Sequence, residues 1–306
     1  MLSNRLRLGL AIVAVLSLGI ALPGRSSGLD FAAAATFALA AVLSINSLIV
    51  AVSYGFSLVY ARAAAPDLAR WQACRAAMLE WLATFALVFV IQPFERRWMG
   101  PEAGERGDPA RPPLLLIHGY LCNRGFWWWL RRRLRAQGRC VATINLEPPL
   151  GGIERLAEGL DTRVRALVAE TGAEKVVLVG HSMGGLAARA YLRRHGGARV
   201  AKLIALGTPH HGTQLARIGL GRNAREMVPG SAWIRELAEA TPLPVPALSV
   251  WSARDNYIMP QDSSRLAGAR ETVLPALGHL AMAFSPKVLQ ILLDETAAQR
   301  ELARMA

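Results

Sequence analysis

Ser182 lies at the centre of Gly180-His181-Ser182-Met183-Gly184, directly after the apolar run Val176-Val177-Leu178-Val179 and before Gly185-Leu186-Ala187-Ala188-Arg189-Ala190-Tyr191-Leu192. A buried strand, a sharp turn and then a helix would expose a serine hydroxyl at the C-terminal edge of a parallel sheet. The turn strains the serine backbone, and bulk at Gly180 or Gly184 would collide with the adjoining strand and helix. A serine hydroxyl is inert until a neighbouring base takes its proton. His279, in Leu277-Gly278-His279-Leu280, titrates near neutrality and can accept that proton and return it to a leaving group. Asp255, just beyond the apolar run Ala247–Ser252, can hold the imidazole tautomer and stabilise the imidazolium. The order Ser182, Asp255, His279 is that of a nucleophile, its acid and its base on one strand-and-loop scaffold.

The run Leu114-Leu115-Leu116-Ile117 leads into His118-Gly119-Tyr120, where a small residue lets backbone approach the nucleophile. The Tyr120 and Met183 amides would then form an oxyanion hole, each donor contributing ~10²–10³ in rate. His118, Leu121, His210 and His211 are expected to line the substrate pocket. Asp262 is an alternative acid and His210 or His211 an alternative base, but both histidines precede the acid in the chain. His181 reads as a packing residue, as does the run Trp127-Trp128-Trp129.

Placing these groups requires a mostly parallel sheet with helices on both faces. Strands are predicted at Leu114–His118, Val141–Asn145, Val176–Gly180, Val200–Leu206, Ala247–Ser252 and Glu271–Leu274. Helices are predicted near Phe126–Gln137, Ile153–Thr171, Gly184–His195 and Ser285–Arg304. The Gly- and Pro-rich stretch 99–113 reads as a linker, separating a membrane region (1–98) from a catalytic domain (114–306).

Three apolar segments precede the linker. Phe31–Tyr60 has no charged residue and is long enough to cross a bilayer. Leu8–Leu22 reads as a short uncleaved span, and Ala76–Phe94 as a third span or an interfacial helix. Three crossings are expected, which puts the catalytic domain on the extracytoplasmic side of a bacterial inner membrane; two would leave it inside. The mean hydropathy of +0.27 reflects this N-terminal excess.

The chain of 306 residues has a formal charge of +13. From residue 110 onward, 26 Lys and Arg face 15 Asp and Glu, so most of the charge lies there. Without a nucleic-acid module or zinc-ligand spacing, anionic lipid headgroups fit this charge better than nucleic acid. Arg131-Arg132-Arg133-Leu134-Arg135 reads as a solvated helix face. Cys74, Cys122 and Cys140 are too scattered for a metal site or a disulfide framework; Cys122 and Cys140 could pair in an oxidising compartment, but the three read as buried free thiols.

Taken as a set, Ile117-His118-Gly119-Tyr120, Gly180-His181-Ser182-Met183-Gly184-Gly185, Gly207-Thr208-Pro209-His210-His211-Gly212-Thr213 and Gly278-His279 resemble the bacterial lipase and esterase branch of the α/β-hydrolase superfamily. The resemblance covers roughly residues 112–300. It implies an α/β-hydrolase fold and cofactor-free hydrolysis of carboxylic esters through an acyl-enzyme, with an acyl-ester or lipid as substrate. Ser182, Asp255 and His279 match the triad, and the Tyr120 and Met183 amides the oxyanion hole. No metal is implied. The segment from Thr213 to about Pro246 is short for a large lid, and the membrane region is foreign to the familiar secreted lipases. Thioester hydrolysis and acyl transfer share the same triad; a non-catalytic membrane binding module is the alternative of another class.

Overall fold

In the computed structural model, which describes residues 2–21, 31–60, 69–101, 111–240 and 242–297, six strands form one sheet. They are β1 (Leu114–Ile117), β2 (Val141–Ile144), β3 (Val176–His181), β4 (Val200–Leu206), β5 (Ala247–Ser252) and β6 (Arg270–Leu274). The order is β2-β1-β3-β4-β5-β6 and every pairing is parallel. β1, β2, β3 and β5 are buried at every residue, as strands covered on both faces must be. β6, at the edge, buries only Leu274.

The helices are α1 (Leu2–Ala21), α2 (Phe31–Tyr60), α3 (Arg70–Phe85), α4 (Glu95–Met99), α5 (Trp128–Ala136), α6 (Ile153–Thr171), α7 (Met183–His195), α8 (Gly221–Glu226), α9 (Ala232–Glu239) and α10 (Pro286–Glu295). α6 shows the logic of the covering layers. It buries Ile153, Leu156, Leu160, Val164 and Leu167, three or four residues apart on one face. With α7 and α9 it builds one core; α5, α10 and the segment 83–91 build the other.

Two helices of this scaffold and one side chain differ from expectation. The helix predicted from Phe126 begins as a 3₁₀ turn, Arg124–Trp127, because the Asn123 side chain accepts from the Gly125 amide and tightens the start. The last helix starts at Pro286, after a 3₁₀ turn at Leu280–Phe284. It ends at Glu295, with Thr296 out of helical conformation, short of the expected end at Arg304, which lies outside the described residues. Arg131 is not solvated: it is buried, and Nη1 donates to the Met99 carbonyl at 2.8 Å.

The N-terminal segments pack directly on this scaffold. Segments 32–60 and 70–99 are long and apolar enough to cross a membrane. α2 coincides with the predicted Phe31–Tyr60 segment. The predicted Ala76–Phe94 segment is not one regular helix. α3 widens into an i→i+5 turn at Ala86–Ile91 and tightens at Gln92–Phe94, where Pro93 has no amide to donate. Trp81 Nε1 donates to Ser47 Oγ at 3.0 Å, and Asn46 Nδ2 donates to the Trp81 carbonyl at 3.1 Å, pinning α3 across α2. α1 covers the first predicted span up to Ala21, Leu22 lying outside the described residues. At its start, Ser3 Oγ accepts from Asn123 Nδ2 at 3.1 Å.

Candidate active site

β3 ends at His181 and α7 begins at Met183, so Ser182 alone makes the turn between them. Its φ of 54° and ψ of −127° lie in a region that L-residues rarely adopt. The glycines explain how the turn fits. A Cβ at Gly180 would come within 2.5 Å of the Gly185 backbone, and one at Gly184 would strike the Ile117 carbonyl. A Cβ at Gly119 would sit 2.8 Å from Ser182 Cβ, so the loop after β1 reaches the serine only because residue 119 has no side chain. β1 and β3 are the neighbours at which the strand order reverses, where open parallel sheets place ligands beyond their carboxyl ends. Tyr120 is tethered as well: its hydroxyl donates to the Leu220 carbonyl at 2.7 Å and accepts from the Leu220 amide at 2.8 Å.

His279 Nδ1 lies 2.8 Å from Asp255 Oδ2, with both side chains buried. A carboxylate only accepts, so Nδ1 carries the proton and Nε2 keeps a free lone pair. The other Asp255 oxygen accepts from the Tyr257 and Ile258 amides at 2.8 and 2.9 Å. The imidazole stacks on Tyr257, with ring centroids 5.1 Å apart. Ser182 and His279 both line a cavity of about 560 Å³. That volume is within the range of sites for small organic ligands.

Polar groups from the N-terminal helices hold the loops that carry these residues. Ser53 Oγ accepts from Asn256 Nδ2 at 2.7 Å, and Asn256 Oδ1 accepts from the His279 amide at 3.0 Å. Ser57 Oγ donates to the Asp255 carbonyl at 3.3 Å and accepts from Gln261 Nε2 at 2.9 Å. Both oxygens of the fully buried Glu80 accept from the turn after His279, from Leu280 N at 3.1 Å and Ala281 N at 2.8 Å. Gln92 Oε1 accepts from the Asn123 amide at 2.8 Å, and Asn123 Nδ2 donates to the Gln92 carbonyl at 2.9 Å. Thus α2 braces the Asp255 loop, where the acid is expected, α3 the turn after His279, where the base is expected, and Gln92 the loop after β1. Sequence reasoning assigned none of these groups a role. Asn46, Ser53 and Ser57 do share one helical face, being seven and four residues apart, and that polar stripe was the available signal.

Of the expected pocket residues, Leu121 lines the cavity and the three histidines do not. His118 is buried behind the loop: Nδ1 donates to the Gly119 carbonyl at 2.9 Å and Nε2 accepts from the Leu146 amide at 3.0 Å. Burial lowers its pKa to about 4. His210 is fully buried beside Arg189, and burial followed by that positive charge pushes its pKa well down. His211 is exposed, its amide donating to the Ser263 carbonyl at 3.1 Å. His181 packs as expected, stacked on Phe126 at 4.1 Å, but it also borders the cavity. Its Nε2 donates to the His279 carbonyl at 3.2 Å, and burial keeps the ring neutral. Asp255, not Asp262, meets the imidazole. Trp127 is wholly buried against Phe126. The three cysteines are free thiols, Cys122 and Cys140 buried and Cys74 exposed. Among the described residues, no group of three or more His, Cys, Asp or Glu side chains could hold a metal.

A family model described as α/β hydrolase fold matches residues 112–227, from the entrance to β1 through the Ser182 turn. The chain has the α/β-hydrolase fold. Solved structures agree: mature Bacillus licheniformis lipase BlEst2 superposes with a TM-score of 0.56 at 19% identity, over 63% of this chain and 94% of that one. Aspergillus fumigatus lipase B gives a TM-score of 0.53 at 17% identity, over 61% of this chain and 53% of that protein. In sequence, triacylglycerol lipases of Pseudarthrobacter phenanthrenivorans and Burkholderia plantarii are each 34% identical over 115 residues, which is 35% of this chain. The matched stretch spans 36% and 32% of those relatives, about a third of their length. The hydrolase-fold match ends before Asp255 and His279.

Proposed function

We propose that this protein is a membrane-anchored serine hydrolase that cleaves carboxylic esters of acyl lipids through an acyl-enzyme. The observation that carries the reading is the buried Asp255–His279 pair, whose imidazole lines the same cavity as a strained Ser182. In this reading Ser182 Oγ attacks the ester carbonyl as its proton passes to His279 Nε2. The Tyr120 and Met183 amides stabilise the oxyanion. Collapse breaks the carbon–oxygen bond to the alcohol, which leaves with the proton from His279. Water then repeats the sequence on the acyl-Ser182 ester, releasing a fatty acid and restoring the hydroxyl. Asp255 stays ionised throughout and holds the imidazolium in place. The names of the sequence relatives favour a lipid ester over a small polar one.

The packing of the N-terminal helices favours two crossings over three. Ser3, at the start of α1, and Ser53 and Ser57, near the end of α2, all contact the hydrolase domain, so α1 and α2 leave it and return as a hairpin. α3 lies against the domain through Glu80. A hairpin anchor keeps the domain on the side of the N-terminus, which Arg5 and Arg7 mark as cytoplasmic. Three crossings would instead give the extracytoplasmic placement expected from the sequence.

The test is labelling of detergent-solubilised protein with a fluorophosphonate. Labelling that vanishes in Ser182→Ala and falls sharply in His279→Ala is expected. Folded wild-type protein that does not label would refute the hydrolase reading.

A further inference from the structure

The cavity beside Ser182 is not walled by the hydrolase fold alone. Leu48, Ile49 and Val52 of α2 form one side of it, facing Leu215, Ile218 and Leu220 from the segment after β4. The rim is apolar and open: Leu48 is 64% exposed, Leu220 69% and Ile218 61%. On the same side of α2, one and three turns before it, Ile45 and Phe37 are also exposed, with Ser44 between them.

The length of α2 fixes the depth of this opening. Its 30 residues extend ~45 Å, whereas about 20 residues cross a ~30 Å hydrocarbon core. About ten residues must therefore emerge, and the C-terminal ones carry Ser53 and Ser57, which bind the acid loop. Leu48, Ile49 and Val52 then sit where hydrocarbon gives way to headgroups, the depth at which glycerolipids hold their ester carbonyls.

We infer that α2 is the acyl-chain wall of the active site, and that the substrate is a long-chain ester of a bilayer lipid whose chain slides in sideways between α2 and residues 215–220. The inference rests on the serine hydrolase reading above. An anchor helix thus sets chain-length specificity, a task for which the short segment after Thr213 has no large lid. Burying the chain methylene by methylene along this wall multiplies kcat/KM by about fourfold per added carbon until the groove is filled.

The experiment uses the full chain in detergent with p-nitrophenyl esters from acetate to palmitate. In the wild type, kcat/KM is expected to climb steeply with chain length. Val52→Trp, at a partly exposed position that tolerates bulk, should lower the decanoate-to-acetate ratio at least tenfold. Leu58→Trp, on the same helix but away from the cavity, should keep the wild-type profile. Oleate release from dioleoylphosphatidylglycerol vesicles should fall with the decanoate ratio in Val52→Trp. A flat profile in the wild type, or an unchanged ratio in Val52→Trp, overturns the inference while acetate turnover leaves hydrolysis standing. Loss of both acetate turnover and fluorophosphonate labelling in the wild type overturns the hydrolase reading itself.

Discussion

Glu80→Gln tests whether the N-terminal helices position His279, the proposed base. Glu80 is fully buried and lies outside the cavity, touching the turn after His279 only through two backbone amides. Glutamine has the same shape but only one acceptor oxygen. Its NH₂ group would face the second amide donor to donor, so one bond is lost and two buried N–H groups are orphaned. A hydrogen bond contributes ~0.5–1.5 kcal/mol and each of the two orphaned buried donors costs ~1–3 kcal/mol, for a sum of about 3–7 kcal/mol. The turn can relieve this by moving, and moving it displaces the imidazole. If about 2–3 kcal/mol appears in the barrier, kcat falls about 30- to 150-fold. KM should stay within about twofold, since no substrate contact changes. The assay is steady-state hydrolysis of p-nitrophenyl butyrate, with circular dichroism to show that the variant is folded. Glu80→Asp keeps the carboxylate on a shorter stem and should recover part of the lost kcat. A folded Glu80→Gln with kcat within threefold of wild type, or an aspartate no better than glutamine, would refute the positioning role.

Two further outcomes follow from the same geometry. Gly119→Ala puts a methyl group against Ser182 Cβ and should displace the Tyr120 amide, lowering kcat by ~10²–10³ with the fold intact on circular dichroism. Acid should destabilise the protein through His118, whose folded pKa of about 4 lies below the ordinary 6.5. The unfolded chain binds the proton first, so this contribution is complete above pH 6.5 and is lost as pH falls toward 4, to a total of about 3 kcal/mol. Melting temperatures across that window should decline less steeply in His118→Gln than in wild type, whatever the offset between the two proteins.

The parallel sheet was legible because its strands are short apolar runs and its covering helices carry clear stripes. The Ser182 turn announced itself through glycines whose absent side chains leave room for neighbouring backbone. Asp255 and His279 could be found because each follows a strand end. The pocket histidines misled for a related reason: His118 and His210 sit at strand ends too, yet their rings turn inward and satisfy buried backbone or lie against Arg189. The bracing of the loops by α2 and α3 escaped because an all-apolar helix reads alike whether it faces lipid or protein. The polar residues that meet the hydrolase scaffold, Ser53 and Ser57 on α2 and Glu80 on α3, carry much of the distinction. Their partners lie about 200 positions away in sequence, beyond any local pattern.

The braces also bear on the order in which the protein is made. α2 and α3 leave the ribosome before β1, while Asp255 and His279 are among the later parts to emerge. The acid and base loops therefore close against helices already made and, in the reading above, already inserted. A nascent chain that misses the membrane would complete its sheet but lack the surface on which those loops set. Such a chain would be a folded hydrolase scaffold with an unassembled triad, harmless to lipids elsewhere in the cell. In that reading insertion and activation become one event, and stripping away the anchor to obtain a soluble protein would remove the groups that brace the Asp255 and His279 loops.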